Sequence, residues 1–486
     1  PRLHRALVVA VERPASVSAV APDPPARFPR VPTGVNLGGW LCLEDWFYSG
    51  TGGRFVSTGD AQPQGQGACL PPLLPQLPEH WPSEGILTRR LNDTKGAAKT
   101  AEILMAHRRS FMGNNDLEAM AAAGIRQVRV PLTWAAFADA LKPFDARAYG
   151  SHDPDNEAAV VPDPFYRGTA AFVTVPRAWL AGFLRKAGQY KLKVLLDLHA
   201  FPGGSSNGTY SGVWPQPPVF WRRNATTDGA STSLADLGQL VAKALVEWVE
   251  GLDAAAQGAV GGLTLMNEPA HLSKGHTWAS EGQILQWLEK AAAAFRSSTL
   301  PGRGVKLYVN VIETAFQDFE GTVGPWWTKT FSEAERNQWA VMDRHWYTAW
   351  SGNSCSGRTS RGGGYDCDQA QDEIREKLRD CATGWAKDFA KQFTGLKAVS
   401  EFSMGTFDDA LAACTDPMVT ATLLDEQVAA FAAADIEPFF WTWRMPYGPL
   451  FEPGWSLKRQ LGLEDTKVPL PCLPPLSAQT CRPAAP

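Results

Sequence analysis

The stretch Gly261-Gly-Leu-Thr-Leu-Met-Asn-Glu-Pro269 is a short apolar run that ends in a carboxylate, Glu268. Leu396-Lys-Ala-Val-Ser-Glu-Phe-Ser403 repeats the pattern with Glu401. Apolar runs this short read as buried strands. A carboxylate where such a strand emerges belongs on the active face of a parallel β/α barrel. Two of them suit glycoside hydrolysis, in which one protonates the leaving oxygen and the other attacks or stabilises the sugar cation.

Six more runs flank these two: Val31–Gly39, Arg126–Leu132, Leu192–His199, Val305–Ile312, Ala340–His345 and Glu437–Trp443. Helical patterns fall between them, near 115–124, 176–190, 232–251, 280–299, 368–393 and 417–434. Such alternation predicts an α/β chain with a parallel sheet and crossover helices. Eight units predict closure into a single (β/α)8 TIM barrel, over residues 31–465. The fifth-to-sixth connection offers only Ser332–Gln338 as a helix, and the last helix is expected at 456–463. Residues 1–30 lack periodicity and read as an extended N-terminal arm. Residues 50–90, rich in Gly and Pro, read as a long irregular loop insertion after strand one. Residues 466–486, Pro-rich with Cys472 and Cys481, read as an extended C-terminal tail.

The net charge of −4 gives no electrostatic footprint for nucleic acid or an anionic membrane. No stretch approaches 18 uninterrupted apolar residues, so no membrane-spanning segment is expected. A monomer is expected. The 19 Trp are in excess; most serve packing, and some are expected to line a sugar cleft. The eight Cys include no CxxC pair and no zinc spacing with His. Most lie in loop-like segments, which suits disulfides, with Cys472–Cys481 and a bridge within 355–414 as guesses. Cys42 reads as a buried free thiol. Glycosylation sequons stand at Asn92, Asn207 and Asn224. The expected setting is secreted, extracellular or cell wall, with a lumenal compartment as the alternative.

The run ends deliver chemistry at almost every strand. They supply Asn36 with Trp40 and Glu44, then Arg129, then Asp197-Leu-His199 followed by Pro202-Gly-Gly-Ser-Ser-Asn-Gly208. Asn267-Glu268, Glu313, His345 with Tyr347, Glu401, and Trp441 with Trp443 complete the set. Each has a plainer reading alone. Asn-Glu-Pro starts helices, His199 suits a core, and Arg129 suits a structural ion pair. Their joint placement at one barrel end argues for a site. The glycines lack a phosphate fingerprint, so no nucleotide is expected. The chemistry calls for no metal and no cofactor.

These motifs resemble glycoside hydrolase family 5, and most its branch of fungal exo-β-1,3-glucanases. The carriers are Gly34-Val-Asn-Leu-Gly-Gly-Trp-Leu41 with Glu44, Arg129-Val-Pro131, Asp197-Leu-His-Ala-Phe-Pro-Gly203 and Asn267-Glu-Pro269. Ala315-Phe-Gln317, His345-Trp-Tyr347, Glu401 and Phe440-Trp-Thr-Trp443 complete them. The resemblance implies Glu268 as acid/base and Glu401 as nucleophile of a retaining β-glucosidase-type hydrolase acting on β-glucan. It implies that Arg129, Tyr347, His199, His345 and Asn36 support the carboxyls or bind hydroxyls. Asn267 would meet the 2-hydroxyl, Glu44 and Asn207 hydroxyls farther off, and Trp441, ahead of Trp443, the face of the sugar. The chain departs from the branch at Asp45, in a shorter loop from Asn207 that lacks a usual Asp, and at 50–90. Two further readings stand beside this one: action on another β-glucoside (β-1,6 or β-1,4 glucan, a glycolipid, a steryl glucoside), and a non-catalytic carbohydrate-binding barrel. The Glu401 charge is expected to raise the pKa of Glu268.

Overall fold

Eight parallel strands close into a barrel in the computed structural model, in which β8 pairs with β1. The structure describes residues 30–44, 81–227, 229–272, 278–349, 369–405, 417–445 and 453–463. The strands are β1 Gly34–Asn36, β2 Gln127–Thr133, β3 Lys193–Ala200, β4 Val260–Thr264, β5 Lys306–Asn310, β6 Ala340–His345, β7 Leu396–Phe402 and β8 Ile436–Phe440. Each lies within or against one of the eight apolar runs. The N-terminal arm, most of the insertion and the tail fall outside the described residues, as do Cys472, Cys481, Cys355, Cys367 and Cys414; Cys381, within the 355–414 stretch, is disulfide-bonded. Cys42 is a buried free thiol.

Two-residue alternation sets the layers. Val128, Val130 and Leu132 of β2 and Val194, Leu196 and Leu198 of β3 join the large core shared with the helices. Leu195, Tyr308, Val341, Ala398 and Phe439 pack together as a separate cluster inside the barrel. The inward positions that follow, two residues on, are Asp197, Asn310 and Asp343; the floor of the barrel is apolar and its mouth polar. Both β6 and β7 carry a register shift, with His345 paired to Glu401 and Ser400 left as the extra residue. Such a bulge re-aims side chains, and here both Ser400 and Glu401 serve the mouth.

The helices form where their signals lie. In Leu234–Glu250, Ser233 caps the start by accepting from the Asp236 N–H, and Leu237, Val241, Leu245 and Val249 are buried. Two expectations need correction. The insertion is not irregular to residue 90, because a helix begins at Glu84 and runs to Lys95, followed by Ala97–Phe111. The fifth connection also holds a second helix, Phe319–Thr330, which contains Pro325 and begins at the Asp318 cap. A proline there reads as a breaker, and this helix forms around it. Among the described residues no helix is long and apolar enough to cross a membrane.

Glu84 carries a testable cost. It is fully buried, and its Oε2 accepts the Leu43 N–H at 2.7 Å. Burial pushes its carboxyl up to about 7, with Arg108 and the Leu43 N–H opposing in part. The folded value lies above the unfolded one. The native state therefore keeps a proton that the unfolded chain has lost, and stability falls as pH rises from about 4.5 to 7. The loss is on the order of 3 kcal/mol. Melting curves across that window should fall more steeply for the wild type than for Glu84→Gln. Parallel curves would contradict the assignment.

Candidate active site

Arg129 organises the mouth from β2. Its Nη1 donates to Glu401 Oε1 at 2.6 Å and to Asn36 Oδ1 at 3.0 Å. Its Nη2 donates to Asn267 Oδ1 at 2.7 Å and lies 3.0 Å from Asp197 Oδ2. The side chain is wholly buried. Burial works against the charge, but Asp197 and Glu401 more than restore it and hold the guanidinium's pKa above its ordinary value. A buried cation with this many anionic and amide partners is stable only as a set, because removing one member strands the others.

Glu401, at the end of β7, also accepts from the Tyr347 hydroxyl at 2.6 Å. Burial and the Glu401 charge push the Tyr347 phenol well up, so it stays a donor. His345, at the end of β6, bridges the two carboxylates. Its Nδ1 lies 2.6 Å from Glu268 Oε1 and 3.3 Å from Glu401 Oε2. Its Nε2 lies 3.0 Å from Ser400 Oγ, whose hydroxyl donates to Asp343 Oδ2 at 2.6 Å. The serine proton is therefore committed, and Nε2 is the donor to Ser400. Burial lowers the His345 pKa, yet Glu401 and Glu268 outweigh it and the net shift is upward. Asn310 joins this layer, donating from Nδ2 to Asp343 Oδ2 at 3.0 Å.

Glu268 stands past the end of β4, in a loop rather than on the strand, with φ of 38°. Its backbone N–H donates to Asn310 Oδ1 at 2.8 Å, and its carbonyl accepts from the Ser206 hydroxyl. Its second oxygen, Oε2, lies 2.7 Å from His271 Nδ1. Burial pushes the carboxyl up, but the His271 charge and hydrogen bond, then His345, hold it well below the usual carboxylate range. This reverses the expectation that Glu401 lifts it. In the open site two imidazoles stand closer to Glu268 than any competing charge.

His199 sits with Nδ1 at 2.6 Å from Asp197 Oδ2 and its ring parallel to Trp441, centroids 5.6 Å apart at 10°. Glu44 is buried and accepts from the Thr209 hydroxyl at 3.3 Å, beside the loop that carries half-buried Asn207. The structure thus brings together Glu268, Glu401, Arg129, Asn36, Asn267, His345 and Tyr347, with His199 and Trp441 alongside. It does not bring Trp443. That side chain is fully buried and its indole N–H donates to Asp116 Oδ1 at 2.9 Å, an oxygen shared with Lys458. β8 ends at Phe440, so two-residue alternation no longer places Trp443 with Trp441. Glu313 pairs with Arg344, which lies over the rings of Phe319, Trp385 and Phe389.

Sequence reasoning missed Asn310, Asp343, Ser400, Tyr210 and His271. Asp343 stands two positions before His345, and strand alternation could have found it. His271 follows Glu268 by three residues, a spacing that signals nothing outside a helix. Glu268, His345 and Glu401 each offer an atom within 4.8 Å of the others, and a metal could be held that way. Those atoms are already engaged with one another and with Arg129 and Tyr347.

No family model matches the chain. Over 467 residues it is 23% identical to a protein named probable glucan 1,3-beta-glucosidase A from Emericella nidulans, covering 90% of this chain and 92% of that protein. It is 26% identical over 193 residues to glucan 1,3-beta-glucosidase 1 of Schizosaccharomyces pombe, covering 40% of this chain and 35% of that protein. It is 28% identical over 214 residues to a probable glucan 1,3-beta-glucosidase A from Aspergillus niger, covering 43% of this chain and 37% of that protein. The last two matches thus take in little more than a third of each relative. Among solved structures, a rutinosidase from Aspergillus niger shares the fold, with a TM-score of 0.52 at 14% identity over 90% of this chain and 97% of that chain.

Proposed function

We propose that this glycoside hydrolase, which resembles family 5 and its fungal exo-β-1,3-glucanase branch, cleaves β-glucosidic bonds with retention, as a glucan exo-1,3-β-glucosidase. The observation that carries the reading is the spacing of Glu268 and Glu401, with an oxygen of each within 4.8 Å of the other. Carboxyls roughly 5–5.5 Å apart serve double displacement, whereas inverting pairs stand roughly 6.5–9.5 Å apart to admit a water. The name of the Emericella relative, matched along nearly its whole length, supports the β-1,3 linkage.

Glu401 is the nucleophile. Arg129 and the Tyr347 hydroxyl each donate to one of its carboxylate oxygens and hold it in place to attack the anomeric carbon. Glu268 protonates the leaving oxygen and then takes a proton from the water that resolves the ester. Asn267 has its Oδ1 held by Arg129, which leaves its amide N–H groups for the 2-hydroxyl. His199 has Nδ1 committed to Asp197, which leaves Nε2 for another hydroxyl. Trp441 lies under the reacting ring. Glu44 and Asn207 bind farther hydroxyls, so Asn207 is expected without a glycan, which would block the cleft. The setting we favour is outside the cell, in the wall or in a lumen.

The test is a time course on laminari-, cello- and gentio-oligosaccharides beside Glu401→Gln. Glucose released singly from the β-1,3 series, and lost in the variant, is the expected result. Release from another series alone would move the linkage. Release from none would move the substrate to a glycolipid or other β-glucoside.

A further inference from the structure

The turn after β4 folds back on its own catalytic residue. Glu268, Ala270 and Leu272 take left-handed φ values of 38°, 57° and 58°. Residues with side chains avoid that region unless the surroundings impose it. Here the surroundings are the glycine-rich loop after β3. The Ala270 N–H donates to the Ser205 carbonyl and the Asn207 N–H to the His271 carbonyl, both at 3.1 Å. The turn thereby sets His271 Nδ1 at 2.7 Å from Glu268 Oε2, the oxygen that His345 leaves open. The Tyr210 hydroxyl reaches the same Nδ1 at 2.9 Å, with the two rings nearly parallel at 22°. Neither Tyr210 nor His271 belongs to the motifs that carry the family resemblance.

One nitrogen facing a carboxyl oxygen has two readings, set by which partner holds the shared proton. With the imidazole proton on Nε2, Nδ1 is an acceptor and the proton on the contact belongs to Glu268, which is the acid form. With that proton moved to Nδ1, His271 is an imidazolium that keeps its Nε2 proton and Glu268 is a carboxylate, which is the base form. A proton moving along one 2.7 Å contact interconverts them. The His271 side chain is 20% exposed against 8% for Glu268, so it is the partner nearer to solvent.

We propose that His271, held by Tyr210, is a positioning residue that shares the catalytic proton of Glu268. It keeps the proton on Nδ1 in the open site and returns it to Oε2 when the glycosidic oxygen arrives. This rests on the reading of Glu268 as acid/base. The proton goes from Nδ1 to Oε2 and on to the leaving oxygen as the C1–O bond breaks and Glu401 forms its ester. Water then attacks C1, the ester bond to Glu401 breaks, and the water proton returns to Oε2 and Nδ1. The cycle closes without another reagent. The balance at Glu268 agrees: burial raises its pKa, and His271, ahead of His345, opposes. Tyr210, Glu401, Tyr347 and Arg129 are the other titratable or charged groups around this cluster.

The experiment pairs two readouts on His271→Asn, with Tyr210→Phe as a second variant should the first fail to fold. The first is the carbon-13 titration of the Glu268 carboxyl in the substrate-free protein, assigned with Glu268→Gln. It should lie below the usual range in the wild type and move up in the variants. The second is kcat/KM against pH on laminaribiose and on an aryl glucoside with an activated leaving group. The laminaribiose rate should fall about tenfold or more, the aryl glucoside less, because only the former needs full proton donation. The alkaline limb should move down, because the pair holds its shared proton to higher pH than Glu268 holds one alone. An unmoved titration with equal losses on both substrates would overturn the proposal and leave His271 a packing residue. An inert wild type whose Glu268 titration still responds to His271 would sink the hydrolase reading and the pair's catalytic role, leaving only the proton contact.

Discussion

Glu401→Gln is expected to lower kcat on the natural β-glucoside by on the order of 10⁴-fold or more, since it removes the atom that forms the covalent bond. The fold should survive. Gln keeps the shape and still offers Oε1 to Arg129, which keeps its contacts with Asn36, Asn267 and Asp197. The melting temperature separates the two effects: loss of activity with an intact melt locates the defect in the chemistry. The loss should extend to activated aryl glucosides, because no leaving group compensates for a missing nucleophile. Near-wild-type turnover in a folded Glu401→Gln protein would assign the nucleophile elsewhere.

Glu268→Ala should behave differently on the two kinds of substrate. General acid help is worth roughly 10²–10⁴-fold, and that loss should appear in full on laminari-oligosaccharides, whose leaving alkoxide must be protonated. An aryl glucoside with an acidic phenol leaves unaided, so its first step should persist and the glycosyl-enzyme should accumulate. Azide should then restore turnover and yield a β-glucosyl azide, since an anionic nucleophile needs no base and fits the space left by the carboxylate. An α-azide would mean single displacement. Equal losses on both substrates, without azide rescue, would mean that Glu268 supports structure.

The barrel was legible because eight apolar runs are too short for helices and are separated by amphipathic stretches. The site was legible because Arg129, His199, His345 and Glu401 stand at the ends of those runs, where alternation and topology fix direction. Legibility stopped where the chain leaves regular structure. Glu268 lies beyond β4 in a left-handed turn, and no periodicity announces that His271 folds back onto it. Trp443 lies beyond β8, and its burial against Asp116 follows no strand rule. Phe319–Thr330 was hidden by Pro325, and Glu84–Phe111 by the glycines and prolines that precede it. The charge on Glu268 escaped for a related reason. Sequence named the opposing carboxylate, while the two imidazoles that decide its protonation are tertiary neighbours.

In the proposed mechanism Glu401 forms the bond to the sugar while Glu268 manages the proton. Its most direct test is to trap the intermediate with 2-deoxy-2-fluoro-β-glucosyl fluoride and locate the label by peptide mass spectrometry. A single fluoroglucosyl ester on Glu401 is the predicted result. An ester on Glu268 or any other residue, or turnover of the reagent with no ester formed, would contradict it.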